Sequence, residues 1–340
     1  MKHVIRLIIL VFCFFFIYET LSQTLRLNDG QVEPNFKHEE QKTDQSHLGN
    51  DLFVVENIIG NPVTWLLEEY GEPNRIDPSR YAYDWYFYHD DQSLQQFAIK
   101  NEKIVSVFLT GINEVVAPYQ LGMSYQDAAA LHVFKDEIAF GSFTFQLTDE
   151  DLLQHPLIKL NDNTFVQLYF DTFTEKLSAI RVMDQETILA HQPYTLYYYG
   201  QLPKAPQISD DQRQLIDVAE QYYIYQYTNV IRNRHQLTSL DWGDAITEVA
   251  FEHSKDMEIN QYFSHTSADG RELGERLNDG DVTFVRAGEN IAAQYIDGLA
   301  AVEGWLNSEG HRKALLDEQF THIGVGTYKQ YYTQNFITVR

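Results

Sequence analysis

A chain of 340 residues with 44% hydrophobic and 14% aromatic side chains can fill the cores of two ordinary domains, which excludes wholesale disorder. Its formal net charge of −24 offers no counter-charge to nucleic acid or anionic lipid, so neither is expected as a partner. The single cysteine, Cys13, leaves everything after it without disulfide or thiolate chemistry.

In chain order, Lys2, His3 and Arg6 precede an apolar run from Leu7 to Tyr18. A positive flank and a short apolar core predict a signal peptide or a single membrane anchor over residues 1–22. The run is about 12 residues, short of the roughly 20 that span a bilayer. Cys13 is followed by Phe14 within the run, which argues against a lipoprotein anchor. The expected location is therefore extracellular or at the cell surface. Residues 23–50 are polar, with Gly30 and Pro34, and read as a flexible spacer.

Residues 51–200 predict an α+β region built from two similar halves. Asn61-Pro62, then Val63, Leu66, Leu67, Tyr70 and Gly71, reads as a short helix with Asn61 as N-cap. Strand-like runs follow at Tyr81 to Tyr88, Phe97 to Ile99 and Ile104 to Leu109. Gly122-Met123-Ser124 opens a second helix, and runs at Ser142 to Leu147, Phe165 to Phe170 and Leu177 to Met183 repeat the pattern. Residues 201–209, with Pro203 and Pro206, read as a linker. Residues 210–340 then predict a second domain. Its first helix carries Leu215, Val218, Ala219, Tyr222, Tyr225 and Val230, its second spans Asp244 to Ile259, and closing strands lie at Ile323 to Gly326 and Tyr331 to Val339.

Three blocks in this second domain carry the chemistry. They are Phe263-Ser264-His265-Thr266-Ser267, Gly288-Glu289-Asn290-Ile291-Ala292 and Trp305-Leu306-Asn307-Ser308-Glu309-Gly310-His311-Arg312. All three look like loops or helix ends, and together they supply two histidines and a glutamate. Their order, with Asn229 and Arg232 in the first helix, resembles the CAP superfamily: cysteine-rich secretory proteins, antigen five and plant pathogenesis-related proteins. The resemblance covers Asp210 to Arg340. Gly71-Glu72-Pro73 before the tyrosine-rich strand resembles the domain that precedes CAP domains in some secreted or membrane-anchored Gram-positive proteins. The resemblance implies an α+β fold: a C-terminal α-β-α sandwich preceded by a separate tandem-repeat α+β domain.

It also implies that His265, Glu289 and His311 line one cleft, with Ser308 and Asn290 as further cleft candidates, because sequence spacing alone does not bring them together. Many animal relatives have a second glutamate where this chain has Ser308; Glu309 would point elsewhere on a helix, while Glu303 could reach the cleft rim. Two histidines and a glutamate can hold a divalent metal such as zinc, move a proton, or only bond backbone groups. Asn290 reads as a structural amide, His253 as a core histidine, and His322 as a further candidate for the cleft. No serine lies in a Gly-x-Ser-x-Gly elbow, which argues against a serine hydrolase. No catalytic residue is assigned. The expectation is a binding module for a small molecule, lipid, envelope component or divalent ion, with the middle region docking a protein partner. The alternatives are a metal-dependent hydrolase of peptide or cell-wall substrates, with Glu289 as general base, and an inert structural domain.

Overall fold

The computed structural model describes residues 53–111 and 115–339, so the apolar N-terminal run and the spacer lie outside it. Among the described residues no helix is long and apolar enough to cross a membrane. Helix α1 (Val63–Tyr70) starts at Pro62 without a side-chain cap; Asn61 instead donates its amide to Asn57 O. Gly71 ends the helix at φ 72°, a conformation glycine adopts without strain. Strands β1 (Arg75–Pro78), β2 (Asp84–His89), β3 (Ser93–Lys100) and β4 (Lys103–Gly111) follow. Strand β2 begins later than predicted, because Ala82 takes a left-handed φ of 60°.

The second half opens with α2 (Tyr125–Leu131), where Gly122-Met123-Ser124 predicts a helix, and Ser124 caps it by accepting from Asp127 N. Strands β5 (Glu137–Phe140) and β6 (Phe143–Gln146), helix α3 (Asp149–Gln154), and strands β7 (Leu157–Lys159), β8 (Thr164–Asp171) and β9 (Lys176–Asp184) complete it. Helix α4 (Gln185–His191) and strand β10 (Thr195–Tyr198) close the region. One seven-stranded sheet runs β7-β8-β9-β4-β3-β2-β1, and the two halves meet where β9 pairs antiparallel with β4, Ile180 opposite Leu109. Strands β10-β6-β5 form a smaller sheet beside it.

The C-terminal domain begins with α5 (Asp210–Arg234), whose Ser209–Gln212 capping box and first-turn aspartates suit a helix N-terminus. Strand β11 (Asp241–Trp242), helices α6 (Asp244–Ile259) and α7 (Leu273–Asp279), strand β12 (Arg286–Ala293), helices α8 (Gly298–Leu306) and α9 (Glu309–Leu315), and strands β13 (His322–Tyr328) and β14 (Tyr331–Thr338) follow. The sheet order is β11-β13-β14-β12. Helix α6 lies so close on β13 that a Cβ at Gly326 would stand 1.9 Å from Phe251 N. Only glycine fits there, so the Gly324-x-Gly326 spacing sets the helix–sheet distance.

The two regions are not merely tethered by the proline linker. One face of the seven-stranded sheet is covered by its own helices, with Leu66 and Ala128 packed on Phe97, Val107 and Ile180. On the other face, Tyr83, Trp85, Phe87 and Phe108 join Tyr223 and Tyr227 of α5 and Trp305 of α8 in a single core. Because both faces are buried, β8 has no exposed residue and shows no polar alternation. Arg181 of β9 meets Asp297 through two bonds of 2.5 and 3.0 Å, and Arg312 meets Asp171 at 2.8 and 2.9 Å. The described residues of both regions thus belong to one compact unit.

This interface carries a pH dependence. Burial raises the Glu220 carboxyl to about 7 against the pull of Arg80, with Asp297 pushing it further up. Burial likewise raises Asp217, which accepts from Lys329 N, to about 7. Both folded values exceed the unfolded ones, so this contribution is full below about pH 4 and lost as pH rises through about 7. The melting temperature of Glu220→Gln is expected to fall less than that of the parent between about pH 5 and about pH 8. An equal fall in both proteins would contradict this assignment.

Candidate functional site

The three blocks converge, but not all as loops. The Glu289 block is strand β12, paired with β14 from Arg286 opposite Thr338 to Ala293 opposite Tyr331. Polar residues at buried strand positions weaken the local signal, and tertiary partners supply what the segment lacks. Neighbours on a strand face opposite ways. Glu289 turns towards His265 in the turn after α6, whereas Asn290 donates its amide to His311 O at 3.1 Å and to Gln334 Oε1 at 3.2 Å. Asn290, a cleft candidate, is fully buried and its amide is bonded away from Glu289 and His265.

Glu289 uses both carboxylate oxygens within the protein. Oε1 accepts from His265 Nδ1 at 2.9 Å, and Oε2 accepts from Arg276 Nη2 at 2.6 Å. Arg276, on α7, also donates through Nη1 to His265 O, Ser267 Oγ and Arg271 O. One guanidinium therefore fixes both the carboxylate and the turn that carries His265. His253 stands behind them, its Nε2 donating to Ser264 O at 3.0 Å and lying 4.0 Å from Glu289 Oε1. Burial lowers its pKa despite that carboxylate, as suits a neutral core histidine.

His311, on α9, bonds Ser308 Oγ through Nδ1 at 2.9 Å. Ser308 occupies the N-cap position but its hydroxyl makes no capping bond, being turned to the imidazole instead. Burial lowers the pKa of His311, and the nearby His265 lowers it further. The rings of His265 and His311 lie 6.5 Å apart between centroids, tilted at 41°. Since the carboxylate accepts from Nδ1 of His265, Nε2 is the ring atom left for another partner.

The expected three-ligand set of His265, His311 and Glu289 does not assemble in that form. Among the described residues no three His, Cys, Asp or Glu side chains are placed to hold a metal ion. Glu289 orients His265 rather than standing beside it as a ligand. Glu303 also departs from expectation. It faces the middle region and accepts from Ser178 Oγ at 2.8 Å and from the Tyr227 hydroxyl. Glu309 is exposed and pairs with Lys313, and His322 bonds Thr321 Oγ1. Sequence reasoning missed Arg276 altogether. Its only local signal is a basic residue in a short helix, and nothing in its spacing points to a strand thirteen residues on.

Comparisons with known proteins match both regions of the chain. The CAP-associated N-terminal family matches residues 59–194, and the cysteine-rich secretory protein family matches residues 225–340. The chain is 39% identical to the uncharacterized membrane protein YlbC of Bacillus subtilis, over 99% of each chain. A solved extracellular protein containing an SCP domain from Bacillus anthracis is 42% identical, with a TM-score of 0.80 over 87% of this chain and 99% of that one. A Staphylococcus aureus cysteine-rich secretory protein, 24% identical, shares the fold with a TM-score of 0.73 over 83% of this chain and 91% of that one. The chain belongs to the cysteine-rich secretory protein family, its CAP domain packed against a CAP-associated N-terminal domain.

Proposed function

We propose that this is an exported cell-envelope protein whose CAP domain works as a binding module, taking a divalent ion or small ligand between His265 and His311. The observation that carries this reading is the state of Glu289. A carboxylate bonded at 2.6 Å to a buried guanidinium and at 2.9 Å to an imidazole is a poor general base, because taking a proton would break both pairs. That weighs against the hydrolase reading, as does serine at position 308. Two imidazoles, each anchored through Nδ1, can instead offer Nε2 to a cation such as zinc. Two protein ligands make a weak, open site, with the other positions left to water or ligand atoms. Tyr197, Tyr198 and Tyr199, all exposed near the linker, offer a surface for a protein partner.

The test is calorimetric titration of the full chain, in mild detergent, with zinc. The parent is expected to bind one ion, and the His265→Ala/His311→Ala double variant to lose it while still melting cooperatively, at a cost of about 1–3 kcal/mol for the bonds it removes. No binding by either protein would sink the metal reading.

A further inference from the structure

A cavity of about 500 Å³ lies where the loop before β2, helix α4, the proline linker and the first turn of α5 meet. That is within the roughly 300–1,000 Å³ typical of ligand pockets. It shares no lining residue with the His265–Glu289–His311 set. Its charge runs against that of the chain, which carries 49 acidic side chains and only 25 lysines and arginines. Five of those cations line this one cavity, Arg80, Lys100, Lys204, Arg213 and Lys329, and Glu186 is the one carboxylate in the lining.

Two of the five cations are answered within the protein. Lys100 pairs with Glu186 at 2.8 Å, and Lys329 pairs with Glu258. The other three are not. Among the described residues, Lys204 is exposed, Arg213 half-buried, and the side chain of neither makes an ion pair or a hydrogen bond. Arg80 donates only through Nη2, to Lys329 O at 3.1 Å and to the Tyr332 hydroxyl at 3.2 Å. Its Nη1 bonds no described residue and keeps accessible surface. An unbonded N–H that solvent still reaches is a donor open to a ligand. The carboxyls that act on Arg80, Glu220 and Asp217, lie outside the lining, and burial raises both to about 7, so neither is fully ionised at neutral pH.

We infer that this cavity binds a compact phosphate monoester, with Arg80, Lys204 and Arg213 taking the phosphate oxygens. Such a group carries a charge of about −1.5 to −2 at neutral pH and three strong acceptor oxygens, which suits three unpaired cations where a single carboxylate suits one. Tyr81, Pro203 and Ile208 line the same cavity and offer apolar surface to the esterified group. The net charge of −24 repels a long polyanion or an anionic membrane. Salt screens that repulsion beyond about 8 Å, so a small anion still reaches a local basic site.

The experiment is calorimetric titration of the full chain, in mild detergent and without divalent metal, with phenyl phosphate, inorganic phosphate, benzoate and phenol. Phenyl phosphate is expected to bind tightest, inorganic phosphate more weakly, benzoate at least about tenfold more weakly than phenyl phosphate, and phenol not at all. Affinity for phenyl phosphate is expected to fall at least about tenfold in Arg80→Gln and in Arg213→Gln, the loss of one charge-assisted bond. Lys135→Gln removes the same charge from an exposed residue outside the cavity and is expected to bind as the parent does. The His265→Ala/His311→Ala variant is expected to do so too, which separates this site from the histidine pair. Arg213 and Lys204 make no side-chain bonds, so Arg213→Gln and Lys204→Gln keep the proposal testable should Arg80→Gln fail to fold. No binding of phenyl phosphate, benzoate or inorganic phosphate binding as tightly, or equal affinity in every folded variant would overturn the proposal.

Discussion

Arg181→Ala is expected to lower the free energy of unfolding by about 3–5 kcal/mol, the cost of leaving a buried charge without its partner. Arg181 is fully buried, its two Nη atoms both bonded to Asp297, and its guanidinium lies 5.1 Å from the centroid of the Phe108 ring. Removing it strands Asp297, whose pKa in the folded protein is held down chiefly by Arg181 against the opposing effect of burial. Since Arg181 stands on β9 and Asp297 caps α8, the loss falls on the contact between domains. Urea unfolding followed by tryptophan fluorescence is the measure. Trp85 and Trp305 share one core, so the parent is expected to unfold in a single transition. Replacing both charges, as Arg181→Met/Asp297→Leu, is expected to recover much of the loss. A change under about 1 kcal/mol in the single variant would mean that solvent reaches the pair.

Arg276→Ala is expected to cost a similar amount, about 3–5 kcal/mol, for the same reason at the site itself. The side chains of Arg276 and Glu289 are 5% and 3% exposed, so the carboxylate would be left desolvated with only His265 to answer it. Three further bonds to the turn of residues 265–271 would go as well. Arg276→Lys is expected to rescue little, because one ammonium cannot reproduce the fork that joins carboxylate and turn. Hydrogen exchange should show the turn losing protection in both variants before the rest of the sheet does. Unchanged protection there would remove Arg276 from the site.

Comparing the two pairs shows what was legible. The hairpins at 93–111 and 164–184 were readable because runs of β-branched and aromatic residues end in polar turns. Helix α5 was readable from its apolar periodicity. Glu289 and its neighbours were misread as a loop, since Gly288-Glu289-Asn290 has little β propensity and its partners come from α7, α9 and β14. Glu303, which helix geometry alone lets reach the cleft rim, is instead bonded to Ser178 of the middle domain and to Tyr227.

By itself, then, the sequence determined the long helices and the hairpins, the two-domain order and the membership carried by His265, Glu289 and His311. Hydrophobic periodicity and turn chemistry are local, and a few motif blocks in the right order suffice to point to a fold. The tertiary structure alone decided that the two domains share one core, that Arg276 holds Glu289, and that a polar cavity lies between the domains. Those depend on which buried charges and hydroxyls meet across hundreds of residues, and pairing at that range leaves no period in the chain.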